Sequence, residues 1–245
     1  MSPVLLLSIA LQIGCAVHVV RTGRPLYWVF ILLIGSYLAV AIYLIAEVLP
    51  EMRHHRAARN LARGVQRTLD PGRGQREASR RLDLADTIEN RRTLAEQSLQ
   101  AGDHARAAEL YQASLNGLYA TDPHLMLGLA QAQFGLNRPA EARATLEALI
   151  AANPGFRSSD GHLLYARAVE ATGDIEAARH EYEALVQGYP GEEARARYAL
   201  LLGREGDEAG AQRLFREILK RADALPRYYR NEQREWIDLA KRALK

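Results

Sequence analysis

Seven histidines, at positions 18, 54, 55, 104, 124, 162 and 180, are the side chains in this sequence best suited to ligate a metal or carry a proton. Their spacing serves neither purpose. A metal site built on one element needs two ligands on one face, as in His-x3-His or Cys-x2-Cys, and neither pattern occurs. Cys15 is the only thiol and sits in an apolar run. A Gly-x-Ser-x-Gly nucleophile elbow and a glycine-rich phosphate loop are both missing. The adjacent carboxylates Glu192 and Glu193 read as helix N-terminal charges, favoured there by the helix dipole. The chain is therefore expected to hold no metal or cofactor and not to be an enzyme.

The elements around these residues show a different design. Four runs recur: Leu94-Ala95 to Ala107, Leu129-Ala130 to Ala142, Tyr165-Ala166 to Ala178, and Tyr198-Ala199 to Ala211. Successive closing alanines are 35, 36 and 33 residues apart. A period near 34 residues marks a helix–turn–helix unit stacked on copies of itself. The helical pattern places pairs at 88–101 with 104–118, 122–136 with 138–152, 160–172 with 174–188, and 192–204 with 207–223. Gly102-Asp103, Gly173-Asp174 and Gly206-Asp207 suit the turns, because glycine ends one helix and aspartate caps the next. Pro123, Pro154, Pro190 and Pro226 fall in the breaks between units. A last helix over 227–244, with Tyr229, Trp236, Ile237 and Ala240 on one side, is expected to cap the array with Trp236 in its core.

The first fifty residues have another character. Residues 1–20 and 26–46 contain no charged side chain, and about 20 apolar residues suffice to cross a bilayer core. Residues 1–50 are expected to form a two-helix transmembrane hairpin, with spans at about 3–20 and 26–48. The first run lacks the basic flank and cleavage site of a signal peptide. Residues 50–81 hold nine arginines, whereas the turn between the spans holds only Arg21 and Arg24. That asymmetry predicts both termini on the cytoplasmic side. Residues 51–76 read as a basic juxtamembrane helix and linker, broken at Asp70-Pro71-Gly72-Arg73-Gly74, with the repeat domain at 77–245. Arginines near 53–67 would attract anionic lipid headgroups, at about 1 kcal/mol each. The 50–81 segment carries +6 and residues 82–245 carry −4. The basic charge thus belongs to the membrane flank, and a nucleic-acid partner is not expected.

The repeat residues resemble the tetratricopeptide repeat (TPR) family. With Gly102 as position 15 of that repeat, Leu94, Ala95, Ala107 and Tyr111 fall in register. So do Leu129, Ala130, Ala142, Leu146 and Pro154; Tyr165, Ala166, Gly173, Ala178, Tyr182 and Pro190; and Tyr198, Ala199, Gly206, Ala211 and Phe215. Asn137 stands where the second unit should have glycine. The resemblance implies an all-α fold, an α-solenoid of about four helix pairs, and a groove lined by the first helices that binds a protein or peptide. It places Arg92, Glu96, Leu99, His124, Leu127, Gln131, Phe134, Leu163, Arg167, Leu200 and Arg204 in that groove. Arginines there would meet carboxylates and the leucines and Phe134 would give apolar contact. The N-terminal hairpin distantly resembles the membrane region preceding phospholipase D-type cardiolipin synthases, but their catalytic His-x-Lys-x4-Asp motif does not occur.

These features point to an adaptor or scaffold anchored in a bacterial inner membrane, with its repeats in the cytoplasm. Three lysines against 29 arginines fit a GC-rich bacterial genome. A non-catalytic accessory subunit of an envelope or phospholipid enzyme complex, contacted through the hairpin, is the alternative.

Overall fold

The computed structural model describes Asp70 and residues 72–245, and Gly72–Lys245 form one compact unit. The two apolar runs, the basic segment 51–69 and the synthase-like hairpin all lie outside the described residues. Among the described residues every regular element is helical, and no helix is long and apolar enough to cross a membrane.

The helices are α1 (Arg73–Leu84), α2 (Ile88–Gln100), α3 (His104–Ser114), α4 (Pro123–Gly135), α5 (Pro139–Ala152), α6 (Ser159–Ala171), α7 (Ile175–Gly188), α8 (Glu193–Arg204), α9 (Glu208–Ala224), α10 (Arg227–Glu232) and α11 (Arg234–Ala243). Four antiparallel pairs, α2–α3, α4–α5, α6–α7 and α8–α9, stack in order, each second helix packing on the first helix of the next pair.

One turn chemistry repeats inside every pair. Gly102, Gly173 and Gly206 take φ of +79°, +85° and +85°, and Asn137 takes +59° in the second unit. Asparagine is among the few residues that adopt this left-handed conformation readily, which explains its substitution for glycine. The next amide then reaches back five residues, as in Asp103 N to Ser98 O, Arg138 N to Gln133 O, Asp174 N to Val169 O and Asp207 N to Leu202 O. These bonds satisfy carbonyls that the helix end would leave open. Asp103, Asp174 and Asp207 cap the following helices by accepting from Arg106 N, Ala177 N and Gly210 N. In the second unit Pro139 opens α5 instead, with no side-chain cap.

The small residues lie where the helices touch. Ala95, Ala130, Ala166 and Ala199 on the first helices are fully buried, as are Ala107, Ala142 and Ala178 on the second, and Ala211 nearly so. Leucines and aromatic rings fill the space around them, with Tyr111, Leu146, Tyr182 and Phe215 in equivalent places on the second helices.

Both ends of the stack are covered. At the N-terminal end α1 packs on α2 and buries Ala78, while Gln75 Nε2 donates to Ser98 Oγ and Asp103 Oδ2 at 3.2 and 3.3 Å. The break expected at residues 70–74 yields to helix at Arg73, so Arg73 to Arg76 belong to this covering helix. The second helix of the first unit stops at Ser114, not 118, and Gly117–Tyr119 form a 3-10 turn. At the C-terminal end the expected helix over 227–244 is two helices meeting at Gln233. Ile237 and Ala240 are its buried residues, whereas Trp236 is half-buried and carries the Arg197 guanidinium over its ring at 5.2 Å. The expectation of a core Trp236 is corrected accordingly. The indole seals an edge of the stack beneath a cation.

Candidate functional site

The first helices α4, α6 and α8 bring together a band of charged and aromatic side chains. Arg167 of α6 lies over the Phe134 ring of α4 at 4.8 Å and pairs with Glu193 of α8 at 3.7 Å. Glu193 also accepts from Arg197, one helical turn along α8, at 2.7 Å. Arg204, at the end of α8, pairs with Glu170 of α6, and Glu170 takes a second hydrogen bond from the Tyr182 hydroxyl at 2.6 Å. Three guanidiniums thus share two carboxylates. Burial pulls the Arg167 guanidinium below its ordinary range, and the like charge of Arg197 pulls it further, against the opposing pull of Glu193. A cavity of about 380 Å³ opens here, lined by Glu170, Arg197, Leu200 and Arg204. Leu200, 42% exposed, is its apolar wall.

Of the residues expected in the groove, Phe134, Arg167, Leu200 and Arg204 fall in this band. Arg92 and Glu96 pair with each other at 3.6 Å on α2, where Arg92 also meets Glu89 at 3.1 Å, so that arginine faces two carboxylates of its own helix. Gln131 and His124 are exposed on α4, and Leu99 is half-buried on α2. His124 packs edge-on against Phe156 at 5.3 Å. Leu127 is half-buried and lines a different cavity, between the second and third units.

Leu163 is not a surface residue. It is 4% exposed and belongs to the C-terminal core cluster with Tyr182 and Leu185 of α7. A leucine at that helical position is core wherever the next helix covers it, and the repeat register alone does not say which unit that is. Sequence reasoning also missed Glu170 and Arg197, and it read Glu193 only as a helix-start charge and Trp236 only as a capping residue. The spacing of Glu193 and Arg197 was the available signal, since residues four apart share a helix face.

Glu192 does stand at the start of α8, as its N-cap residue, but it is fully buried there, and Arg195, Arg221, Tyr229 and Gln233 surround it. Among the described residues no group of three or more His, Cys, Asp or Glu side chains is arranged to hold a metal.

A family model described as "Tetratricopeptide repeat" matches residues 98–168. The fold is shared with the crystal structure of TTC0263, a thermophilic TPR protein of Thermus thermophilus, at 18% identity and a TM-score of 0.56, over 75% of this chain and 96% of that one. It is shared also with residues 41 to the end of MamA from Desulfovibrio magneticus RS-1, at 17% identity and a TM-score of 0.55, over 66% and 91%. A crystal structure of MamA aligns at 19% identity and a TM-score of 0.52, over 61% and 87%. A comparison with curated protein sequences gives no match. The described part of the chain is therefore a TPR-type helical array, with α1 and α10–α11 covering its ends. Solenoids of this kind present extended surfaces to other polypeptides.

Proposed function

We propose that this chain is a membrane-tethered scaffold whose repeat array holds a segment of a partner protein along its first helices. The observation that carries the reading is the band of Arg167, Arg197 and Arg204 sharing two carboxylates beside exposed Leu200. The band has cationic charge to spare, an apolar wall, and rings under two of its guanidiniums. Phe134, Arg167, Leu200 and Arg204 supply the principal contacts. Arg92, Glu96 and Gln131 extend the surface toward the N-terminal units. The tether is the pair of apolar runs in residues 1–50. The excess of arginines after the second run supports an inner-membrane location with the repeats in the cytoplasm, and the same arginines favour anionic headgroups.

The test is photocrosslinking in cells, with a photoreactive residue at position 200 of the full-length chain. A discrete crosslinked partner is expected. Arg167→Ala should weaken its binding about tenfold or more, since a charge-assisted hydrogen bond contributes roughly 1.5–3 kcal/mol. That contribution should fade as ionic strength rises, whereas the loss caused by Leu200→Ala should not. A partner that is indifferent to all these substitutions but lost on deletion of residues 1–50 would move the contact to the hairpin and sink the proposal.

A further inference from the structure

A second cavity lies between the second and third units, enclosed by α5, the first half of α6 and α7, with a volume of about 580 Å³. Its walls are largely apolar, with Leu127, Leu149, Ile150, Phe156 and Leu185 around it. Its one carboxylate, Glu181, lies 2.7 Å from His162 Nε2 and is taken up by that contact. Ile150, 54% exposed, stands where the cavity opens to solvent. Such a lining calls for an apolar occupant.

The chain carries a fitting side chain on the same edge. Leu118, in the 3-10 turn Gly117–Tyr119 between α3 and α4, is 99% exposed. A lone exposed leucine needs no explanation, but this one is held out by a fixed turn. Gly117 takes φ of +51°, Asn116 Nδ2 donates to the Ala113 carbonyl at 2.7 Å, and Tyr119 N donates to Asn116 O at 2.9 Å. Two contacts set the turn beside the cavity. Asn153 Nδ2, just past α5, donates to the Thr121 carbonyl at 3.0 Å, and the His124 ring meets Phe156 edge-on at 5.3 Å. Fully exposed, Leu118 leaves the cavity of its own chain unfilled.

Charge repeats the pattern. Arg157 lines the cavity, and its guanidinium donates to the carbonyls of Pro154 and Phe156 at 2.8 and 3.1 Å, with no ion pair among the described residues. Asp122, four residues after Leu118, accepts from the amides of His124 and Leu125 at 3.0 Å and likewise meets no cation among the described residues. A knob and a hole side by side on one edge are self-complementary, because a two-fold rotation sets each knob against the other copy's hole. We infer that this edge pairs with a second copy of the chain, Leu118 of each copy entering the other's cavity beside Ile150, and Asp122 of each approaching Arg157 of the other. The turn is already fixed, so little freedom is lost on pairing. This contact shares no residue with the arginine band on α6 and α8 and does not depend on it.

The test uses the full-length chain, first in cells and then purified in detergent. A photoreactive residue at position 118 should give a covalent dimer, with the crosslink mapped by mass spectrometry to residues that line the second copy's cavity. Light scattering over a range of concentrations then gives the dimer dissociation constant. Leu118→Asp and Ile150→Asp should each raise it about tenfold or more, as for anchors of an interface. Asp122→Asn keeps the helix cap, which asparagine fills as well as aspartate, and should raise the constant several-fold. Arg157→Ala should do the same, and the two together should cost no more than either alone, because they remove one contact. Leu200→Ala in the groove should leave the dimer unchanged. A strictly monomeric chain would overturn the proposal. So would a photoreactive residue at 118 that crosslinks to nothing, to lipid, to another protein, or to a part of the second copy outside the cavity. A dimer indifferent to Leu118→Asp, in a chain with unchanged circular dichroism, would overturn it by placing the contact elsewhere.

Discussion

Glu192→Ala is expected to destabilise the C-terminal third of the array by about 3–5 kcal/mol, the cost of leaving buried partners of a charge uncompensated. The carboxylate is fully buried. It accepts from the Tyr229 hydroxyl at 2.6 Å and from Arg221 Nε at 2.9 Å, and lies 3.5 Å from Arg195 Nη1. Its backbone amide donates to Gln233 Oε1 at 2.9 Å. Arg195, itself 5% exposed, is held also by Glu217 at 3.1 Å and by the Val186 carbonyl at 2.6 Å. The carboxylate thus ties α8 to α9 and to α10, while the amide of the same residue reaches Gln233, where α10 meets α11. Because each unit of a solenoid contacts only its neighbours, the damage should be local. Hydrogen exchange should accelerate in α8 to α11 while α2 to α5 keep their protection. Glu192→Gln keeps an acceptor for Tyr229 and should cost less than the alanine change. Equal exchange in wild type and Glu192→Ala would show that the network contributes nothing to holding the end of the array.

The contrast between Glu192 and the turns explains what the sequence could reveal. Each turn depends on local chemistry: a residue able to take positive φ, followed by a helix cap. Gly102, Gly173 and Gly206 announce it by type, and Asn137 does so by substitution. The alanines at helix contacts are legible for the same reason, since only small side chains fit and the spacing repeats. The Glu192 network joins residues 29 to 41 positions apart, and nothing in the local sequence separates a buried glutamate at a helix start from an exposed one. The candidate binding band was legible in part. Phe134, Arg167, Leu200 and Arg204 follow from the repeat register. That Arg167 and Arg204 already share Glu193 and Glu170 does not, because those pairs cross from one unit to the next. Leu163 failed for the converse reason, being covered by packing that the register does not encode.

Gly128→Ala is expected to cost about 1–3 kcal/mol at the junction of the first and second units, the usual range for overpacking, and larger side chains should cost more. Gly128 is buried on α4, where a β-carbon would lie no more than 2.7 Å from three atoms of the Tyr111 ring. That ring is only 3% exposed, and the core formed by α1 to α4 surrounds it, so it has little room to withdraw. Burial accordingly pushes its hydroxyl up to about 12. The size of the ring and the absence of a side chain at position 128 are therefore two halves of one contact. Tyr111→Leu should then make room for the methyl group that Gly128→Ala adds, and the double substitution should be less damaging than the sum of the single ones, as expected for residues that touch. Gly155→Ala is the control, since a β-carbon there meets nothing within 4 Å and the backbone avoids the left-handed region. Urea titrations of the wild type, the two single substitutions, the double substitution and the control, followed by circular dichroism, measure the coupling. Strict additivity of Gly128→Ala and Tyr111→Leu would show that the ring does not set the spacing between these units.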